Sequence, residues 1–119
     1  MIRKVKKLQA VINNNFKNGF IISTLVFQNR NSGEINEFMS KLKDYKQDIK
    51  YVHSLENPIA EKVHCHILTE QKYKDLIETN CKEKEIMLIQ SKERKIATKK
   101  LCEYLLKGAT CTLTKNMYR

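Results

Sequence analysis

The chain has 119 residues, enough for one compact domain and too few for two ordinary ones. Lys and Arg outnumber Asp and Glu by 23 to 13, and the formal charge of +10 favours a polyanionic partner, most often nucleic acid. The longest apolar stretch, Phe20 to Phe27, is far too short for a membrane span and contains Ser23 and Thr24, and no apolar signal core follows the basic start; the expectation is a soluble intracellular protein with no membrane partner.

Residues 1–19 carry basic residues and no acid, with Val5, Leu8, Ile12 and Phe16 at helical spacing. They predict a short basic amphipathic segment whose end is weakened by Asn13, Asn14 and Asn15. Residues 20–27 are rich in β-branched and aromatic residues and predict a central strand, stopped by the polar run 29–33. From Ser32, Ile35, Phe38, Met39 and Leu42 follow a 3.6 period and predict a helix to about residue 48. Residues 50–56 and 62–68 read as a hairpin around Asn57-Pro58-Ile59-Ala60. Thr69 is a candidate cap for a helix with Tyr73, Leu76 and Ile77 on its apolar face. A short strand is expected over 85–90. Ser91 then caps a helix in which Ile96, Leu101, Leu105 and Leu106 pack inward, ending at Gly108. Residues 109–119 form a polar, β-leaning C-terminal tail. The predicted class is α+β, a ferredoxin-like (split βαβ) sandwich with a central antiparallel sheet in the order β-α-β-β-α-β-α. Four cysteines, Cys65, Cys81, Cys102 and Cys111, have no CxxC spacing, which suits free thiols in a reducing compartment.

His64-Cys65-His66 lies on a predicted strand. Residues two apart on a strand project to the same side, so both imidazoles share a face while Cys65 points away. Imidazole binds transition metals, and a hard divalent ion also wants an oxygen ligand. If Glu56 pairs opposite His64 across the hairpin, its carboxylate joins the histidine face. A register slip of one residue brings His53 there instead. The carboxylate makes the better site for manganese or magnesium, so Glu56 is preferred. Tyr104 lies on the last predicted helix, with Lys100 at i−4 and Lys107 at i+3 on its face and Lys99 beside them. A phenol needs nearby positive charge to ionise, and the same ammonium groups attract a phosphate. The ordinary reading of these residues is a pair of strand histidines without metal and a half-buried helical tyrosine among solvated lysines.

Three motifs occur in order. Ile22-Ser23-Thr24-Leu25-Val26 resembles the first motif of rolling-circle replication initiators. His64-Cys65-His66 resembles their second, the histidine-hydrophobic-histidine hallmark of HUH endonucleases, and Tyr104-Leu105-Leu106-Lys107 resembles their third. The likeness spans roughly residues 20–108 and is strongest to the small initiators of archaeal rod-shaped viruses (rudiviruses). It implies a single HUH nuclease domain over residues 1–119, with residues 1–19 and 109–119 flanking its motifs. It implies that His64, His66 and Glu56 hold Mn²⁺ or Mg²⁺. Tyr104 would attack unpaired DNA to give a 5′-phosphotyrosine and a free 3′-hydroxyl, and Lys107 would orient the phosphate or metal region. Lys99 and Lys100 would bind the strand. Nicking and rejoining would need no ATP. Lacking a Gly-rich GK[ST] loop, the chain would rely on a host or viral helicase and polymerase. A homodimer in the cytoplasm of an infected host cell is implied as well. Two alternatives remain. A single-tyrosine HUH transposase shares the chemistry, although such enzymes usually carry glutamine where this chain has Lys107. A non-catalytic nucleic-acid-binding module on a ferredoxin-like sheet would instead stack bases on Phe20, Phe27 and Tyr51.

Overall fold

The computed structural model describes residues 2–27, 32–45, 48–56, 63–107 and 110–117. In chain order these form α1 (Ile2–Asn15), β1 (Phe20–Phe27), α2 (Ser32–Tyr45), β2 (Tyr51–Glu56), β3 (Val63–Thr69), α3 (Lys74–Lys84), β4 (Met87–Arg94), α4 (Lys99–Leu106) and β5 (Thr110–Leu113). A single 3₁₀ turn, Gln71–Tyr73, leads into α3. The five strands make one antiparallel sheet in the order β4-β1-β3-β2-β5. This is an α+β architecture with four helices, compatible with a ferredoxin-like sandwich.

Every residue of the central strand β1 is buried, because helices cover both faces of the sheet. Ile21, Leu25 and Phe27 of β1 join Cys65 and Ile67 of β3 under Phe38 and Leu42 of α2 and Ile77 of α3. On the other face, Phe20, Ile22, Val52 and Leu68 lie beneath Val5, Leu8 and Ile12 of α1 and Leu101 and Leu105 of α4. Strand periodicity thus sorts alternate residues into two cores. Burial raises the thiol of Cys65 to about 12 and those of Cys81 and Cys102 to about 11, so these cysteines stay protonated. All four cysteines are free thiols.

Several local expectations change. The amphipathic segment expected at the start of the chain is a helix over residues 2–15, and Val5, Leu8 and Ile12 carry it into a core. The helix ends at Asn15, within the asparagine run, and Asn13 also grips the chain before α4. Its Oδ1 accepts the Ala97 N–H at 2.8 Å, while Gln9 Nε2 donates to the Ala97 carbonyl at 3.1 Å. The predicted C-terminal tail contains β5, which pairs with β2 from Val52↔Leu113 to Leu55↔Thr110.

The expected 85–90 strand runs on to Arg94, and Ser91 is a strand residue, not a helix cap. Its hydroxyl meets that of Ser23 at 2.8 Å, and the ladder continues to Phe20↔Arg94. Thr98 supplies the cap of α4, its Oγ1 accepting the Leu101 N–H at 3.2 Å. Ile96 consequently falls in the bend between β4 and α4 and is 64% exposed instead of packed. Thr69 ends β3 and caps nothing. Gly19 enters β1 with φ +96°, and a Cβ there would sit 2.8 Å from the Arg94 carbonyl oxygen, so the close approach of these two segments needs glycine. The hairpin loop at residues 57–62 and the helix end at Gly108 lie outside the described residues. No helix among the described residues is long and apolar enough to cross a membrane.

Candidate active site

The register of the β2–β3 hairpin settles which side chains share a face. Glu56 pairs with His64, Ser54 with His66 and Val52 with Leu68. Glu56, His64 and His66 therefore project to the α4 side. His53, the alternative third ligand, pairs with Ile67 and stands with Tyr51 and Leu55 on the opposite face. Burial lowers its imidazole pKa, and among the described residues its buried Nδ1 has no hydrogen-bond partner. It takes no part in this cluster.

His66 is 5% exposed and held at both ends of its ring. On the neighbouring strand, Thr24 pairs opposite it, and Thr24 Oγ1 lies 3.1 Å from His66 Nδ1 in a buried contact. At the other end, Nε2 is 3.0 Å from Glu56 Oε2. A threonine hydroxyl either donates or accepts, so it can satisfy Nδ1 whichever ring nitrogen carries hydrogen. When Nδ1–H donates to Thr24, the Nε2 lone pair is left for another partner.

Tyr104 reaches the same pair from α4. Its hydroxyl donates to Glu56 Oε2 at 3.0 Å and lies 3.2 Å from His66 Nε2. The two rings meet edge-on with centroids 5.0 Å apart. The helix is set on the sheet by Leu101 and Leu105, by the grip of α1 on Ala97, and by Ser54 Oγ, which donates to the Leu105 carbonyl at 2.6 Å. Tyr104 remains 47% exposed. His64 is looser, its Nδ1 lying 4.0 Å from Glu56 Oε2 and its side chain 43% exposed.

Charges follow from these contacts. The His66 hydrogen bond, assisted by Tyr104 and the two imidazoles, holds the Glu56 carboxyl below the usual carboxylate range although partial burial opposes it. Partial burial, then the bond to Glu56 and its negative charge, push the Tyr104 phenol above its ordinary value. In this arrangement Glu56 is a weak base for a reluctant phenol, and ionising Tyr104 needs added positive charge.

Two imidazoles and a carboxylate are a donor set suited to a divalent ion between the hard and soft extremes. Cis ligands at about 2.1 Å in octahedral geometry stand about 3.0 Å apart, and the His66 Nε2 to Glu56 Oε2 separation is 3.0 Å. His64 would have to rotate to join them. Among the described residues no three His, Cys, Asp or Glu side chains already form a closed metal site. The donors fit, but Tyr104 and Glu56 are bonded to each other in the geometry described here.

Beside Tyr104 opens a cleft of about 700 Å³ between β4 and the start of α4, lined by Thr24, His66, Lys99 and Lys100 among others. The two lysines expected to contact a polyanion therefore share a wall with Tyr104. Lys107 does not line the cleft. It is exposed at the C-cap of α4, its N–H donating to the Tyr104 carbonyl at 3.3 Å. Gln90, Lys92 and Arg94, not among the residues expected from the sequence, form the opposite wall. Their alternation with Ser91 and Glu93 is the signal for them, and it is obscured when Ser91 is taken as a helix start. Thr24, the partner of His66, has no local signal of that role. No family model, no curated protein and no solved structure matches this chain.

Proposed function

We propose that the chain nicks and rejoins unpaired DNA through Tyr104 with a divalent cation at His66, Glu56 and His64. The observation that carries this reading is the convergence of a phenol, an imidazole and a carboxylate within 3.0–3.2 Å, the last two from one hairpin and the phenol from a helix about forty residues on, at the mouth of a cationic cleft.

Bound Mn²⁺ or Mg²⁺ would supply the charge that favours the phenolate and draws electron density from the phosphate oxygens. Tyr104 Oη, open to solvent, gives its proton to water and forms a bond to phosphorus. The bond from phosphorus to the 3′-oxygen breaks, and that oxygen takes a proton from water and leaves as the 3′-hydroxyl. The 5′-phosphate stays on Tyr104. The bond energy is retained, so attack by a 3′-hydroxyl reverses the step without ATP. Lys107, one turn from Tyr104, would attract the phosphate from outside the cleft. Replication initiation in a virus-infected cell is the biological setting this chemistry suits. Two strand transfers would call for two rounds or a second subunit, since the motif holds a single tyrosine. The finer assignment, a ferredoxin-like HUH nuclease domain, belongs to the same proposal. The base-stacking module is disfavoured by a specific observation: Phe20 and Phe27 are fully buried and Tyr51 is 6% exposed, so among the described residues these aromatics offer no stacking platform on the sheet.

The deciding experiment is incubation of the protein with labelled single-stranded DNA and Mn²⁺, then denaturing electrophoresis and peptide mass analysis. A DNA adduct on Tyr104 that EDTA prevents is the expected result. Tight binding with no adduct across varied oligonucleotides would remove the nuclease reading. Thr24 offers a finer check. Thr24→Val keeps the shape and deletes the hydroxyl, and should weaken Mn²⁺ binding about 10–100-fold by calorimetry, whereas Thr24→Ser should retain it. Equal affinity in the valine variant would show that Thr24 does not orient His66.

A further inference from the structure

The cleft beside Tyr104 has two dissimilar walls. Gln90, Lys92 and Arg94 pair with Thr24, Ile22 and Phe20 of β1, so they step along one face of β4 away from His66. Same-face residues on a strand recur about every 6.6 Å, close to the step of phosphates along an extended single strand. Thr98, Lys99 and Lys100 form the facing wall, and Ile22 and Leu101, both nearly buried, lie between.

Among the described residues four cations line the cleft and no carboxylate does. Lys99 also reaches Glu103, at 3.9 Å. Among the described residues Lys92, Arg94 and Lys100 make no ion pair. A fold does not hold uncompensated like charges together for stability, since they repel; an anionic ligand between the walls removes that cost. A disruption of the β1–β4 pairing at Thr24/Leu25 lies where the cleft meets His66. Such irregularities re-aim side chains beside functional sites.

We propose that this cleft seats the DNA segment on one side of the phosphate at Tyr104. One or two unpaired nucleotides run along β4, their phosphates against Lys92 and Arg94, with a base resting on Ile22 and Leu101. The volume of about 700 Å³ lies in the range of about 300–1,000 Å³ that holds a drug-sized molecule, which admits single nucleotides and not a duplex. The assignment rests on the strand-transfer reading only for the place of the scissile phosphate.

The test measures binding without chemistry, using the Tyr104→Phe chain in EDTA, fluorescent single-stranded DNA and a range of salt concentrations. Lys92→Ala/Arg94→Ala is compared with Lys74→Ala/Lys82→Ala, which removes equal charge from α3 on the other side of the sheet. Loss of two phosphate contacts should reduce the salt slope by about 1.4. Trimming the DNA at one end should weaken the parent and the α3 variant but not the β4 variant, while trimming the other end affects all three alike. Equal slopes and equal trimming effects in both double variants would overturn the cleft assignment. Adduct formation by the unaltered chain with Mn²⁺ is scored separately. Adducts without a β4 effect leave the nuclease reading and remove the cleft; a β4 effect without adducts does the reverse.

Discussion

Replacing Tyr104 by phenylalanine should lower strand cleavage by at least about 10³-fold, the scale on which a nucleophile and its activated neighbours act. The substitution deletes one oxygen that bonds to Glu56 and His66 at 3.0 and 3.2 Å. At 47% exposure, water replaces those bonds, so folding should change little. Affinity for unpaired DNA should stay within about twofold, the usual span of surface substitutions. Parallel cleavage gels and anisotropy titrations check both halves. A phenylalanine variant that still forms a covalent adduct would transfer the nucleophile to another residue. One that loses binding as well as cleavage would make Tyr104 a binding residue.

The second large effect is expected at His66, where chemistry and stability coincide. His66→Ala should reduce Mn²⁺ affinity and metal-dependent cleavage by more than about 100-fold, beyond what loss of a supporting residue costs. It should also destabilise the protein by about 1–3 kcal/mol, because the Thr24 hydroxyl loses its buried partner and a cavity replaces the ring. His64→Ala separates the two contributions. Its side chain is 43% exposed and only loosely near Glu56, so this variant should lose metal binding with little change in urea midpoint. Calorimetry and urea unfolding, run on both variants, supply the comparison. Unaltered Mn²⁺ binding in His66→Ala would remove the metal centre, whatever the stability change.

Much of this arrangement is legible in the chain, for identifiable reasons. The eight residues of β1 read as a central strand because all but Ser23 are apolar or β-branched, and all are buried. The hairpin reading left Glu56 and His53 as rivals. A period of two makes the choice depend wholly on register, and the Glu56↔His64 pairing decides it. What stayed hidden involved partners far away in sequence. Nothing local marks Asn13 as the residue that bonds Ala97, or Thr24 as the partner of a histidine 42 positions on. The β4–α4 junction was misread because Ser91 and Thr98 are both capping residues, and only the ladder to β1 shows which one stays in the strand. Lys92 and Arg94 fell into that misread stretch, so half of the cationic cleft was lost with it.

The alternation along β3 has an evolutionary consequence. Val63, Cys65 and Ile67 belong to one core, while His64 and His66 face α4. Two sets of constraints are interleaved at single-residue spacing within one strand. A lineage could exchange Cys65 for another small apolar residue to retune packing, and alter His64 to retune reactivity, without either change crossing the sheet. An insertion of one residue between His64 and His66 is different in kind: it would put the two imidazoles on opposite faces and turn the residues beyond it to the wrong side of the sheet. Strand length, more than any single side chain, is therefore the property that descent must keep unchanged here.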